Sequence, residues 1–199
     1  MSISRQASRH LLLLLTLSYV ANADAHIQAG EGGGFLSGLE HPLSGLDHIV
    51  AMVSVGLWGA QLGRPAIWVL PVTFPLVMAV GGFLGLIGIA LPGVEVGIAA
   101  SAILLGAAVL LEARPTLAIA AALVAIFAIF HGYAHGAELP PGGNGLLYSL
   151  GFIIATGFLH ACGIVVGLVH QWPWGQKLLR TAGGFVLATG GFVLWKTLT

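Results

Sequence analysis

Residues 115–137 read PTLAIAAALVAIFAIFHGYAHGA, an uncharged stretch of membrane length that ends in two histidines. A membrane-spanning helix needs about 20 predominantly apolar residues. Lipid offers no partners to backbone N–H and C=O groups, so such a stretch must satisfy them within its own helix. The apolar residues do not alternate with polar ones, which argues against the strand of a transmembrane barrel. The rest of the chain has the same character. Of 199 residues, 57% are hydrophobic and 7% charged, and the mean hydropathy is +0.98. A soluble domain carries about a quarter charged residues. Seven Lys/Arg and seven Asp/Glu, summing to zero, cannot coat a water-exposed surface. The chain therefore reads as an all-α polytopic membrane protein whose surroundings are the lipid bilayer. No basic stripe is present to neutralise phosphates, so no nucleic-acid partner is expected. With Cys162 alone, internal disulfides and CxxC metal or redox motifs are excluded.

Cutting the chain at Pro, Gly and charge gives six segments, at about 42–62, 65–90, 94–112, 115–137, 144–169 and 177–197. Residues 1–25 read as a cleavable signal peptide: Arg5 and Arg9 precede a short apolar stretch, Leu11 to Val20, and then small residues. Cleavage fits after Ala23 or after Ala25. Residues 26–41 follow as a short periplasmic Gly-rich tail, and residues 42–199 form the six-helix transmembrane domain. Removal of the signal leaves the new N-terminus outside, which puts Arg64, Arg114, Lys177 and Arg180 on the cytoplasmic side and Lys196 opposite. That distribution obeys the positive-inside rule and leaves both mature termini periplasmic in the inner membrane. Trp58, Trp68, Trp172 and Trp174 are expected near the inner interface, and Tyr133, Tyr148 and Trp195 near the outer one. Gly81/Gly85, Gly132/Gly136 and Gly163/Gly167 have the spacing that lets helices approach closely. Six spans permit two inverted groups of three, although no internal sequence repeat is evident.

The eight histidines set the functional question, because ionisable groups at membrane depth are costly and usually functional. One cluster, His41-Pro42-Leu43-Ser44-Gly45-Leu46-Asp47-His48, opens the first span. Pro42 suits the first helical turn. His41 and His48 share a face if that helix begins by His41, and Asp47 is free to ligate a metal or to orient a ligand. The other cluster closes the fourth span, with His131, His135 and Glu138 at i, i+4 and i+7 on one face. A rise of about 1.5 Å per residue places His48 and His131 each about 9 Å below the outer ends of their spans. If those helices pack together, the imidazoles and carboxylates face one point. That composition suits nickel, cobalt or zinc rather than calcium or magnesium.

These residues also carry a resemblance. His41-Pro42, Gly45-Leu46-Asp47-His48, Ala51-Met52 and Val55-Gly56-Leu57-Trp58 resemble the opening signature of the HupE/UreJ family of nickel and cobalt permeases. Phe130-His131-Gly132-Tyr133-Ala134-His135-Gly136-Ala137-Glu138 resembles its second signature, and Pro92 to Ser101, with Glu95, is similar to the stretch between them. The resemblance covers essentially the whole mature chain. It implies nickel or cobalt uptake across a bacterial inner membrane, supplying hydrogenase, urease or cobalamin assembly. On that reading the ion is substrate, no resident cofactor is expected and the chain is not an enzyme; no protein partner is indicated.

Weaker metal candidates are Glu95, which opens the third span, His160, deep in the fifth, and His26. Signal cleavage after Ala23 would leave Asp24-Ala25-His26, whose amine, backbone nitrogens and imidazole suit a square-planar nickel or copper site. No phosphate-cradling GxxxxGK[ST] motif is present. The alternative function is an intramembrane zinc-dependent hydrolase built on the same His/Asp clusters. It lacks both an H-E-x-x-H motif and a serine nucleophile elbow.

Overall fold

The computed structural model describes residues 34–139 and 143–199. Its helices are α1 (Phe35–Ser44), α2 (Leu46–Leu62), α3 (Ala66–Leu86), α4 (Val94–Leu110), α5 (Leu117–Ala137), α6 (Gly145–Gly167) and α7 (Pro173–Leu198), with a 3-10 turn at Leu168–Gln171. No strand occurs among the described residues, in keeping with the all-α expectation. Four helices are long and apolar enough to cross a membrane: α3, α5, α6 with its 3-10 turn, and α7. The bent pair α1–α2 makes a fifth, and α4 is a shorter apolar helix of 17 residues. The signal peptide expected over residues 1–25, and with it His26, lies outside the described residues.

The start of the first expected span differs from its sequence reading. Residues 35–41, expected to belong to the short Gly-rich tail, are already helical, and the axis turns by 85° between α1 and α2. The turn is made at Gly45, whose backbone is extended (φ −97°, ψ 121°). Pro42 falls near the end of α1, not in a first turn. Having no N–H, it leaves the Gly38 carbonyl without its usual helical donor. Packing explains why this stretch is ordered: α1 lies along α6, and a β-carbon on Gly38 would strike the Tyr148 backbone, as one on Gly151 would strike Phe35.

Glycines set the other close approaches. In α3 against α5, Gly81 faces Ile129, Gly85 faces Tyr133, Gly132 faces Met78 and Gly136 faces Gly82, each so tightly that a β-carbon would fall on backbone atoms. Gly56 and Gly163 do the same for α2 and α6, and Gly106 and Gly183 for α4 and α7. The first two pairs run parallel and the third antiparallel, as chain direction alternating from α2 to α7 requires. This pairing maps onto itself when α2, α3 and α4 are exchanged for α5, α6 and α7, an arrangement that inverted halves produce. Between the pairs lies one apolar core that includes Met52, Trp58, Leu70, Phe74, Leu105, Val124 and Leu179.

Two of the aromatic residues expected near the interfaces are packed inside the bundle. Trp58 is only 2% exposed, with its indole N–H donated to the Ala113 carbonyl (2.9 Å), so it ties α2 to the loop after α4. Tyr148 is also buried. Trp68, Trp172, Trp174 and Trp195 are exposed, as interfacial residues should be.

Candidate metal centre

Three elements carry the histidines to one end of the bundle. The elbow at Gly45 folds α1 back so that His41 stands beside His48, with ring centroids 6.1 Å apart. The continuous expected helix would have placed them two turns apart on one face; the bend does this instead. From α5, His135 approaches both, at 4.6 Å from His41 and 4.7 Å from His48. One nitrogen from each of His41, His48 and His135 lies within 4.8 Å of the others. Three imidazoles so disposed can converge on one ion with little movement.

His131, one turn deeper on α5, is fully buried and meets His48 at 5.2 Å between centroids, but it stands outside this triad. Asp47 and Glu138 stand outside it too. Asp47 Oδ1 lies 3.0 Å from His48 Nδ1, and Glu138 Oε2 lies 3.7 Å from His41 Nε2. Burial pushes the Glu138 carboxyl above its ordinary value; His48 opposes the rise, while Glu95 and Asp47 add to it. Glu95 is exposed in the first turn of α4. It acts on Glu138 as a nearby charge and does not join the imidazoles.

The hydrogen bonds decide which nitrogens are free. An ionised carboxylate only accepts, so Asp47 holds the proton of His48 on Nδ1 and leaves Nε2 with a bare lone pair. That Nε2 is buried and unpartnered. Ser101, on α4, donates its hydroxyl proton to the Ile98 carbonyl (2.6 Å). Its oxygen must then accept from His131 Nε2 at 2.9 Å, which leaves His131 Nδ1 bare. This atom and both nitrogens of His135 are likewise buried without partners. Each such atom costs about 1–3 kcal/mol if nothing pairs with it. A cluster of unpartnered imidazole nitrogens with carboxylate and hydroxyl groups orienting two of the rings from behind is the donor set of a borderline divalent ion.

Some of this was not foreseen. The sequence reading made convergence conditional on α2 and α5 packing together; they are not neighbours along their length, and the imidazoles meet across the space between them. The walls come from α6, where the Phe152 ring lies tilted at 4.2 Å from that of His135 and Tyr148 lies 6.1 Å from His41. Ser101 was also missed. Its signal in the sequence was weak: one hydroxyl in the apolar run of α4. His160 lies deeper, fully inside α6 and apart from the triad.

A family model described as "HupE / UreJ protein" matches residues 12–194. Protein HupE of Rhizobium leguminosarum bv. viciae is 45% identical over 183 residues, which cover 92% of this chain and 94% of that protein. No solved structure matches. The two histidine motifs thus sit within an alignment that runs nearly end to end, and the chain belongs to the HupE/UreJ family.

Proposed function

We propose that this protein is a secondary permease or channel that takes up nickel or cobalt ions across the bacterial inner membrane, supplying hydrogenase, urease or cobalamin assembly. The observation that carries the reading is the convergence of His41, His48 and His135 nitrogens within 4.8 Å of one another, with His48 Nε2 and both His135 nitrogens buried and unpartnered. His41, His48 and His135 bind the incoming ion. Asp47 orients His48, His131 takes the next position inward, and Glu138 and Glu95 attract cations to the mouth. Conduction needs binding strong enough for entry and labile enough for release.

In this reading α1–α2 and α3 to α7 make six crossings, with α4 the shortest, after a signal peptide is removed. The histidine end and both mature termini face the periplasm. The side with Arg64, Arg114, Lys177 and Arg180 faces the cytoplasm, as the positive-inside rule favours. An intramembrane zinc-dependent hydrolase finds no support in the comparisons.

The test is nickel and cobalt accumulation in cells expressing the wild type or His131→Ala, with zinc, iron and copper as competitors. Loss of uptake with the variant still in the membrane supports a permease; wild-type flux no higher than that of cells lacking the protein rejects it.

A further inference from the structure

Deeper in the bundle, a second group of polar atoms has no part in the centre just described. His160 on α6 is 2% exposed, and neither ring nitrogen has a hydrogen-bond partner. Thr156 lies one turn earlier on the same face of α6. It is fully buried and its hydroxyl is also unpartnered. Opposite them, α3 contains Pro71 and Pro75. Pro75 has no N–H, so the Pro71 carbonyl loses the donor a regular helix would supply, and that carbonyl lies against the His160 imidazole. Here an imidazole, a hydroxyl and a released carbonyl stand together in an apolar interior.

Phe74 links this group to the outer one. Its ring centroid is 5.6 Å from that of His131 and 5.4 Å from that of His160, so it touches both imidazoles. Counted along their helices from the histidine ends, the backbone positions of His131, Phe74 and His160 come in that order, each farther in than the last. The three rings therefore succeed one another inward.

We propose that His160 and Thr156, beside the Pro71 carbonyl, form a second and deeper coordination station for the transported divalent ion, and that Phe74 is the partition between it and His131. The proposal rests on the uptake reading above and adds to it a place where the ion stops after leaving the outer imidazoles. Hydroxyl and carbonyl oxygens hold nickel and cobalt less firmly than imidazoles do, so the deeper station binds more loosely. An ion displaced there by a following one is then released, as conduction through successive sites requires.

Cobalt(II) is the probe, with full-length protein in proteoliposomes and a Cys162→Ser background so that no native thiol contributes. His160→Phe keeps the ring shape and removes the ligand. It is expected to bind cobalt at the outer triad as the parent does, which also reports that it has folded, while its initial uptake rate falls at least about tenfold. His160→Cys is expected to regain part of the uptake and to show a sulfur-to-cobalt charge-transfer band, which arises only if cobalt reaches position 160. Parental uptake by His160→Phe overturns the station and leaves the permease reading intact. So does the absence of a charge-transfer band in His160→Cys while the outer triad is loaded. If the parent itself transports no cobalt, the uptake reading fails first and the station falls with it.

Discussion

The Ser101 hydroxyl oxygen lies 2.9 Å from His131 Nε2 while its own proton is committed to the Ile98 carbonyl at 2.6 Å. Two helices are joined by this contact, and it fixes the tautomer of the deepest imidazole in the outer cluster. Ser101→Ala removes the acceptor and lets the ring turn or change tautomer. Cobalt affinity, measured by titration on purified protein, is expected to weaken about tenfold, with helicity by circular dichroism unchanged. An unaltered affinity would mean that His131 is held by packing alone.

His135 makes no hydrogen bond through either nitrogen, so its replacement leaves no polar group stranded. His135→Ala should fold, yet lose the metal response. A ligand at about 100 times its dissociation constant stabilises the folded state by about 2.7 kcal/mol, so nickel or cobalt is expected to raise the melting temperature of the wild type and leave that of His135→Ala where it was. Equal metal-induced shifts in the two proteins would remove His135 from the ligand set.

Asp47 stands behind His48 rather than within the triad. Asp47→Asn keeps the shape and removes the charge that holds the proton on Nδ1. The expected loss in affinity is about 10- to 100-fold, less than for His48→Ala, in which a ligand itself is gone. If Asp47→Asn proves the more damaging of the two, the carboxylate is binding the ion directly.

At Gly136 a β-carbon would fall on the Gly82 carbonyl oxygen, so Gly136→Ala must push α3 and α5 apart. Overpacking of this kind costs about 1–3 kcal/mol and is expected to lower both the amount of protein in the membrane and metal uptake. Gly157 has nothing within 4 Å of its would-be β-carbon; Gly157→Ala serves as the control and should accumulate normally. Immunoblots of membrane fractions distinguish the two.

Orientation has its own test. Ile89, in the loop between α3 and α4, and Trp174, at the start of α7, are both exposed at opposite ends of the bundle. In a Cys162→Ser background, a membrane-impermeant maleimide applied to spheroplasts is expected to label Ile89→Cys and to reach Trp174→Cys only after lysis. The reverse pattern would invert the proposed direction of entry.

Much of the site was legible along the chain. His131 and His135 lie on a single uninterrupted helix, so the i, i+4 rule places them on one face and the structure keeps them there. Asp47 and His48 are sequence neighbours, and their contact needs only local geometry. His41 was harder. Its approach to His48 was expected from a helix continuous from position 41 to 48, whereas Gly45 interrupts that helix. The two imidazoles converge because α1 folds against α6, which the tail's polar composition concealed. The glycine spacings were legible as close-approach motifs, but which helix each would meet was not.

Composition, run length and motif spacing determined that this chain is a bundle of apolar helices with its two histidine motifs at one end, because helix formation and exclusion from lipid act on each segment by itself. Tertiary structure alone decided that α6 walls the histidines, that Ser101 selects the free nitrogen of His131, and that α2 and α5 face each other without packing. Those outcomes depend on which backbones can touch, and that is set by pairs of surfaces far apart in the chain.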